Sequence, residues 1–147
     1  GLMQLMPATA QATATRTGLI IPEGGMGDPV YNLELGQAYL ETLRDLSLTG
    51  GLLFKVIAAY NAGPGSVQTW NVTLNDKGDA LLFLESIPFG ETRAYVETVV
   101  RNFWLYQLRG RQPMPALDAV AANKWPEFPG LDRLRAATVP VAPQPGS

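Results

Sequence analysis

Three short stretches hold the residue types whose spacing suits chemistry. The first, Gly1-Leu2-Met3-Gln4-Leu5-Met6-Pro7, sets one amide between flexible thioethers. A glutamine presents donors and an acceptor together, which suits a neutral amide or hydroxyl ligand, and methionine lines an adaptable apolar wall. The same pattern equally describes a core segment with one surface glutamine. The second, Ala58-Ala59-Tyr60-Asn61-Ala62-Gly63-Pro64-Gly65, puts a phenol and an amide immediately before a Gly-rich turn. Such a turn holds side chains rigidly and lets a ligand approach the backbone closely. Tyr60 reads as a groove residue or as a core aromatic whose hydroxyl has found a partner, and Asn61 as a ligand contact or a local helix-end bond. In the third, Glu85-Ser86-Ile87-Pro88-Phe89, a carboxylate ends a short apolar helix, an electrostatically poor place for an acid unless it is exposed or held for a purpose. Glu91 complements the dipole at the start of the next helix. Arg93 is free to pair with Glu97 or another acid, and Tyr95 one turn in suits core or groove alike. Two-acid glycosidic chemistry needs carboxylates on facing walls of a cleft, and Glu85 and Glu91 lie too close along one turn to assign that geometry.

These stretches must be carried by helices. Pro7 fits a first helical turn, and the helix it opens runs until Gly18. Residues 20–28, rich in Gly and Pro, form a loop. Asn32 is the expected N-cap of a helix with Glu34 in its first turn; Leu35, Tyr39, Leu43 and Leu46 share its apolar face and Gly50-Gly51 stops it. Residues 52–62 are apolar nearly all round, as in a central buried helix, with Gly63 past its end and Pro64 barring continuation. A short helix is expected over 66–70 and another over 80–85. The clearest spans 91–108, with Val96, Val99, Val100, Phe103 and Gln107 inward and Arg93, Glu97 and Arg101 as an ion-paired outer face. Seven of the twelve prolines fall after residue 112, which predicts an extended tail whose Trp125 and Phe128 pack onto something. No stretch alternates with period two. The fold class is all-α, with a domain over 1–112 and a Pro-rich tail over 113–147.

Composition narrows the chemistry further. With 46% hydrophobic and 16% charged residues, 147 residues can bury one core. Eleven basic against thirteen acidic residues, net −2, give no broad electrostatic reason to bind nucleic acid. The absence of histidine and cysteine excludes imidazole bases, thiol nucleophiles, disulfides and His- or Cys-ligated metal. No metal site or cofactor is expected, and no apolar run is long enough to span a membrane. The start at Gly1, with neither an initiator Met nor a signal peptide, reads as a chain cut from something longer.

Taken in order, GLMQLMPATA, AAYNAGPGSVQTW and ESIPFGETRAYVETVV resemble the soluble lytic murein transglycosylases, lysozyme-like all-α enzymes of the bacterial cell wall. The likeness runs from Gly1 to about Leu108. It implies cleavage of the β-1,4 bond between N-acetylmuramic acid and N-acetylglucosamine in peptidoglycan without net addition of water. The muramyl 6-hydroxyl attacks and leaves a 1,6-anhydro end, with one glutamic acid acting first as acid and then as base. The resemblance assigns Gln4, Met6, Asn61, Glu85 and Tyr95 to sugar binding and Tyr60 to supporting the catalytic carboxyl. In the family that glutamate lies in a Glu-Ser motif upstream of GLMQ. The resemblance therefore implies a chain that binds glycan strands in the periplasm or cell envelope and, as given, does not cut them. A non-catalytic peptidoglycan-binding module and a hydrolytic lysozyme relative are the alternatives. A domain missing its N-terminal helix is also expected to expose apolar surface and so to be marginally stable or to self-associate.

Overall fold

A computed structural model of the chain describes residues 5–132, and Gln4 and residues 133–147 lie outside that range. Helices account for the described secondary structure: α1 (Pro7–Thr17), α2 (Pro29–Arg44), α3 (Leu53–Ala62), α4 (Pro64–Thr73), α5 (Ala80–Ser86), α6 (Gly90–Arg109) and α7 (Pro115–Ala121), plus one 3-10 turn at Gly25–Gly27. One isolated bridge joins Leu52 and Glu127, and among the described residues no strand forms. The chain divides into two compact units, 1–41 with 129–147, and 42–128.

In the first unit, α1 opens on Pro7, whose missing N–H falls where no helical partner exists, and closes on Gly18 in the left-handed conformation at φ +70°. Its inner face, Ala10 and Ala14, packs with Tyr31 and Leu35 of α2, and Leu5, Leu19 and Met26 close the edges of this small core. Asn32 does not cap α2. The helix starts three residues earlier at Pro29, and Asp28 caps it, its carboxylate accepting from the Tyr31 N–H at 2.8 Å. Asn32 is instead 1% exposed, and Glu34 lies beyond the first turn. At the other end of the unit, Glu41 Oε1 accepts from the backbone N–H groups of Leu131 (2.8 Å) and Asp132 (3.0 Å), and from Gln37 Nε2. One carboxylate thereby satisfies donors that the chain leaves unpaired after Gly130.

The second unit is built around α3. Leu53, Phe54, Val56, Ile57, Ala58 and Ala59 are all buried, and α3 packs against both α4 and α6, while α5 packs against α6. Full burial of each larger side chain here contributes about 1.5–3 kcal/mol. Ahead of α3, helix α2 ends at Arg44 rather than at the glycine pair. The Thr49 hydroxyl bonds to the Leu43 carbonyl, and it sits close to those of Arg44 and Leu46, so a side chain takes the place of the next helical turn. Gly50 and Gly51 then supply positive φ of +58° and +73° for the reversal into α3.

The expected short helix over 66–70 is longer, because Pro64 both bars continuation of α3 and serves as the first residue of α4. Asp79 caps α5, accepting from the Leu82 N–H at 2.8 Å. Along α6, Val96, Val100 and Gln107 are buried, but Phe103 remains exposed. The expected ion-paired face does not form: among the described residues Arg93, Glu97 and Arg101 make no ion pair, and Arg93 donates to the Ile87 carbonyl instead. Exposed pairs of this kind gain little over hydration, so a buried-edge carbonyl competes well. After Pro113 the chain is not extended throughout, since Pro115 starts α7. Beyond it, the segment 124–128 runs back along the start of α3. Leu53 N donates to Pro126 O (2.8 Å), and Phe128 N donates to Gly51 O (2.9 Å). Trp125 packs as expected, between the rings of Phe54 and Phe83, with its indole N–H on the Gly78 carbonyl at 2.9 Å. Lys55 Nζ lies 5.2 Å from the Phe83 ring centre and 5.0 Å from that of Trp125, a cation held over two aromatic faces.

Candidate functional site

Five of the six sequence-assigned residues are described. Met6 belongs to the first unit. It is the residue preceding α1 and is 71% exposed, so its thioether lies open to a ligand and adds little to the core. Tyr60, Asn61, Glu85 and Tyr95 belong to the second unit.

Tyr60 and Asn61 are carried by the last turn of α3, the most buried helix of that unit. The turn that follows is fixed by Gly63, at φ +87° and ψ 152°, a conformation that side-chain-bearing residues rarely adopt. Pro64 then redirects the chain into α4. Tyr60 is half-buried and Asn61 exposed.

The strongest cross-link at the site joins the second motif to the third. The Thr92 hydroxyl donates to Asn61 Oδ1 at 2.7 Å across 31 residues of sequence. Thr92 is 3% exposed and lies in the first turn of α6. Tyr95 follows three residues later, on the same face of α6, so Asn61, Thr92 and Tyr95 are brought into one neighbourhood. The Tyr95 ring is half-buried, and that burial raises its phenol above the ordinary value, keeping it a neutral donor and acceptor well into the alkaline range.

Glu85 occupies the penultimate position of α5 and is exposed, with no cation within ion-pair distance among the described residues. The loop after it is held at Ile87, which is fully buried and whose carbonyl accepts from Arg93 Nη1 at 3.2 Å. Phe89, in the same loop, stands 52% exposed with its ring set edge-on to Trp70 at 5.2 Å and 89°. A ring fixed in this way is a rigid apolar platform of the kind on which the face of a pyranose stacks. Thr92 and Arg93 were missed as positioning groups. The available signal was that a threonine in a first helical turn has no carbonyl of its own helix four residues back.

Two cavities carry none of these side chains. One of about 530 Å³ in the first unit is lined by Thr17, Leu33, Glu34, Gln37, Glu41 and Leu131, among others. The other, about 400 Å³ and apolar, lies among α5, α6 and α7, with Leu81, Trp104, Leu108 and Leu117 in its wall.

A family model for the transglycosylase SLT domain matches residues 1–83. The soluble lytic murein transglycosylase of Escherichia coli K12 is 41% identical over 102 residues, which are 68% of this chain and 16% of that protein. The putative soluble lytic murein transglycosylase of Haemophilus influenzae is 38% identical over 120 residues, 80% of this chain and 20% of that protein. Among solved structures, an inactive mutant of the lytic transglycosylase Slt from Pseudomonas aeruginosa, with glutamine in place of a glutamate, superposes with a TM-score of 0.70 at 37% identity. That match covers 78% of this chain and 18% of the other. The 70 kDa soluble lytic transglycosylase of Escherichia coli gives 0.68 at 38% identity, over 76% and 18%. The chain thus spans about a fifth or less of the length of these relatives. On the match over residues 1–83, the agreement of the helical fold and the order of the three motifs, the chain belongs to the transglycosylase SLT domain family of the soluble lytic murein transglycosylases.

Proposed function

We propose that this chain supplies the sugar-binding wall of a peptidoglycan-cleaving site, with Tyr60 beside the reacting carboxyl and Gln4, Met6, Asn61, Glu85 and Tyr95 on the glycan. The observation that carries this reading is the Thr92–Asn61 hydrogen bond, which ties the Tyr-Asn turn to the Glu-Thr-Arg-Ala-Tyr helix and so unites two motifs far apart in sequence. The half-buried Tyr95 ring and the exposed Phe89 ring give that wall the mixed polar and aromatic character that suits a pyranose chain.

The reaction that fits is intramolecular transglycosylation. A glutamic acid protonates the oxygen between N-acetylmuramic acid and N-acetylglucosamine, the C1–O bond breaks, and the resulting carboxylate accepts the proton of the muramyl 6-hydroxyl as that oxygen bonds to C1. The proton count closes on the same carboxyl, no water enters, and the product ends in a 1,6-anhydro ring. Tyr60 orients that carboxyl through its hydroxyl. The acid comes from the family's Glu-Ser motif, which precedes GLMQ. A relative with a single glutamate changed to glutamine is described as inactive, which supports one indispensable acid. Glycan strands of the periplasmic or envelope peptidoglycan are the partner, and among the described residues no helix is long and apolar enough to cross a membrane.

One observation favours a second reading, binding without cutting. Glu85, Glu91 and Glu97, the three carboxylates of the third motif, are all exposed, whereas a general acid for this chemistry works enclosed against the scissile bond. Both readings are separated by incubating the 147-residue chain with purified peptidoglycan, alone and with a relative's Glu-Ser segment fused ahead of Gly1. The expected result is co-sedimentation without soluble product for the chain alone. The fused chain is expected to release muropeptides one water lighter than hydrolysis products. Products of hydrolytic mass would establish a lysozyme-type reaction instead. Binding by the fused chain without any product would leave the binding module.

A further inference from the structure

We infer that Thr92 is a positioning residue that sets the Asn61 amide so that its Nδ2 protons face the ligand and select an acetamide carbonyl on the sugar. The inference rests on the proposed glycan-binding site and names the chemical group that this part of it reads.

Six other hydroxyl groups on the helices of this chain bond within their own helix or, for Ser66, to the end of the helix before it. Thr13, Thr15 and Thr17 in α1, and Ser66, Thr69 and Thr73 in or beside α4, each donate to the carbonyl four residues back. Thr92 departs from that habit because it sits in the first turn of α6, where the residue four positions back is Pro88, outside the helix. Its single proton goes to Asn61 Oδ1 at 2.7 Å instead, and with Thr92 only 3% exposed that bond is largely screened from water.

A terminal amide has two near-equivalent orientations related by a half-turn, and its hydrogen-bond partners choose between them. With Oδ1 committed to Thr92, the Nδ2 group of the exposed Asn61 is turned away from α6 and has no acceptor among the described residues. Two donors in fixed positions recognise a carbonyl oxygen. On a glycan made of N-acetylated amino sugars the available carbonyl is the acetamide, and a plain glucose chain has none. Without the Thr92 hydroxyl the amide is free to turn its oxygen outward, and an oxygen facing the acetamide carbonyl repels it.

Titration of the chain with β-1,4-linked N-acetylglucosamine tetramer and, separately, with cellotetraose tests this. Wild type is expected to prefer the acetylated sugar. Thr92→Val, nearly the same shape without the hydroxyl, is expected to weaken binding of the acetylated tetramer about 3- to 10-fold, the equivalent of one hydrogen bond, and to leave cellotetraose unchanged. Thr92→Ser is expected to restore the preference, and Asn61→Asp, which keeps the acceptor but lacks the donors, to abolish it. Wild-type affinity in Thr92→Val overturns the inference, as does an equal loss toward both sugars that Thr92→Ser fails to rescue. Wild type binding neither sugar refutes the proposed function itself, and the inference with it.

Discussion

Gly63 and Gly65 lie two residues apart, yet replacing each with alanine is expected to move stability in opposite directions. Gly63 sits at φ +87° and ψ 152°, where a β-carbon added to the backbone meets no neighbouring atom within 4 Å. Any penalty is therefore intrinsic to the backbone, about 1–3 kcal/mol for a residue other than glycine in that region. Against it stands the loss of unfolded-chain freedom on adding a β-carbon, worth about 0.4–1 kcal/mol toward the folded state. Gly63→Ala is thus destabilising by roughly 1.3 kcal/mol at the midpoints of the two ranges, and by about 2.6 kcal/mol at most. Gly65 occupies the first turn of α4, also with open space around its α-carbon and with φ outside the left-handed region. Only the favourable effect remains there, so Gly65→Ala is expected to stabilise by about 0.4–1 kcal/mol. In a chain of this size those values correspond to a fall in Tm of about 3–5 °C for the first, about 10 °C at most, and a rise of about 1–4 °C for the second. Paired urea titrations of the two variants, with thermal scans alongside, read the difference directly. A Gly63→Ala variant as stable as wild type would show that the turn relaxes without strain. It would remove the reason for regarding Tyr60 and Asn61 as rigidly held.

Removing the α5 cap with Asp79→Ala is expected to cost about 0.5–2 kcal/mol in urea unfolding and to loosen the segment that ends in Glu85. Burial raises the phenols of both Tyr95 and Tyr39, with the Arg16 charge partly opposing the rise at Tyr39. Raised folded-state values mean that the native protein holds these protons longer than the unfolded chain. Their contribution is accordingly complete below the ordinary tyrosine value of about 10 and declines as pH climbs through the raised values. Tyr95→Phe should flatten part of that alkaline decline in a stability-versus-pH series, and an unchanged slope would count against it. Finally, Glu41→Ala is expected to accelerate hydrogen exchange at the Leu131 and Asp132 amides. Glu41→Gln, which keeps an oxygen acceptor, is expected to do so much less.

What could be read from the sequence was local. Pro7 and Gly18 bracket α1 because proline's missing donor and glycine's access to positive φ act within one turn. The run over 53–62 announces a buried helix because nearly every side chain is apolar, and Gly63-Pro64 ends it by backbone sterics alone. The start of α2 was misread because Asp28 and Asn32 are both competent caps. The choice fell to Asp28, which precedes a proline suited to the first helical position, while packing buried Asn32. The stop at Arg44 depends on a threonine five residues further on, and the helix after Pro113 on a proline that begins an element instead of breaking one. Among the candidate residues, Tyr60, Asn61, Glu85 and Tyr95 stand out in the sequence as polar or aromatic types near helix ends and starts. Thr92 shows in the sequence only as a hydroxyl with no carbonyl of its own helix four residues back, and the partner it takes, 31 residues away, is not visible there. Arg93 likewise has a charged residue at helical spacing that outcompetes a distant carbonyl on paper but not in the folded chain.

The strap formed by residues 124–128 has a consequence for the order of events during synthesis. Leu53 N waits for Pro126 O, and the apolar strip of Phe54 and Phe83 waits for Trp125 and the cation of Lys55 that rests on it. Closing that loop of about 70 residues costs configurational entropy before any contact repays it, so the start of the central helix is among the last parts of its unit to be sealed. A growing chain therefore presents Phe54, and after α5 Phe83 with it, uncovered until the segment beyond α7 has emerged. Over that interval chaperones and neighbouring nascent chains compete with Trp125 for the same surface.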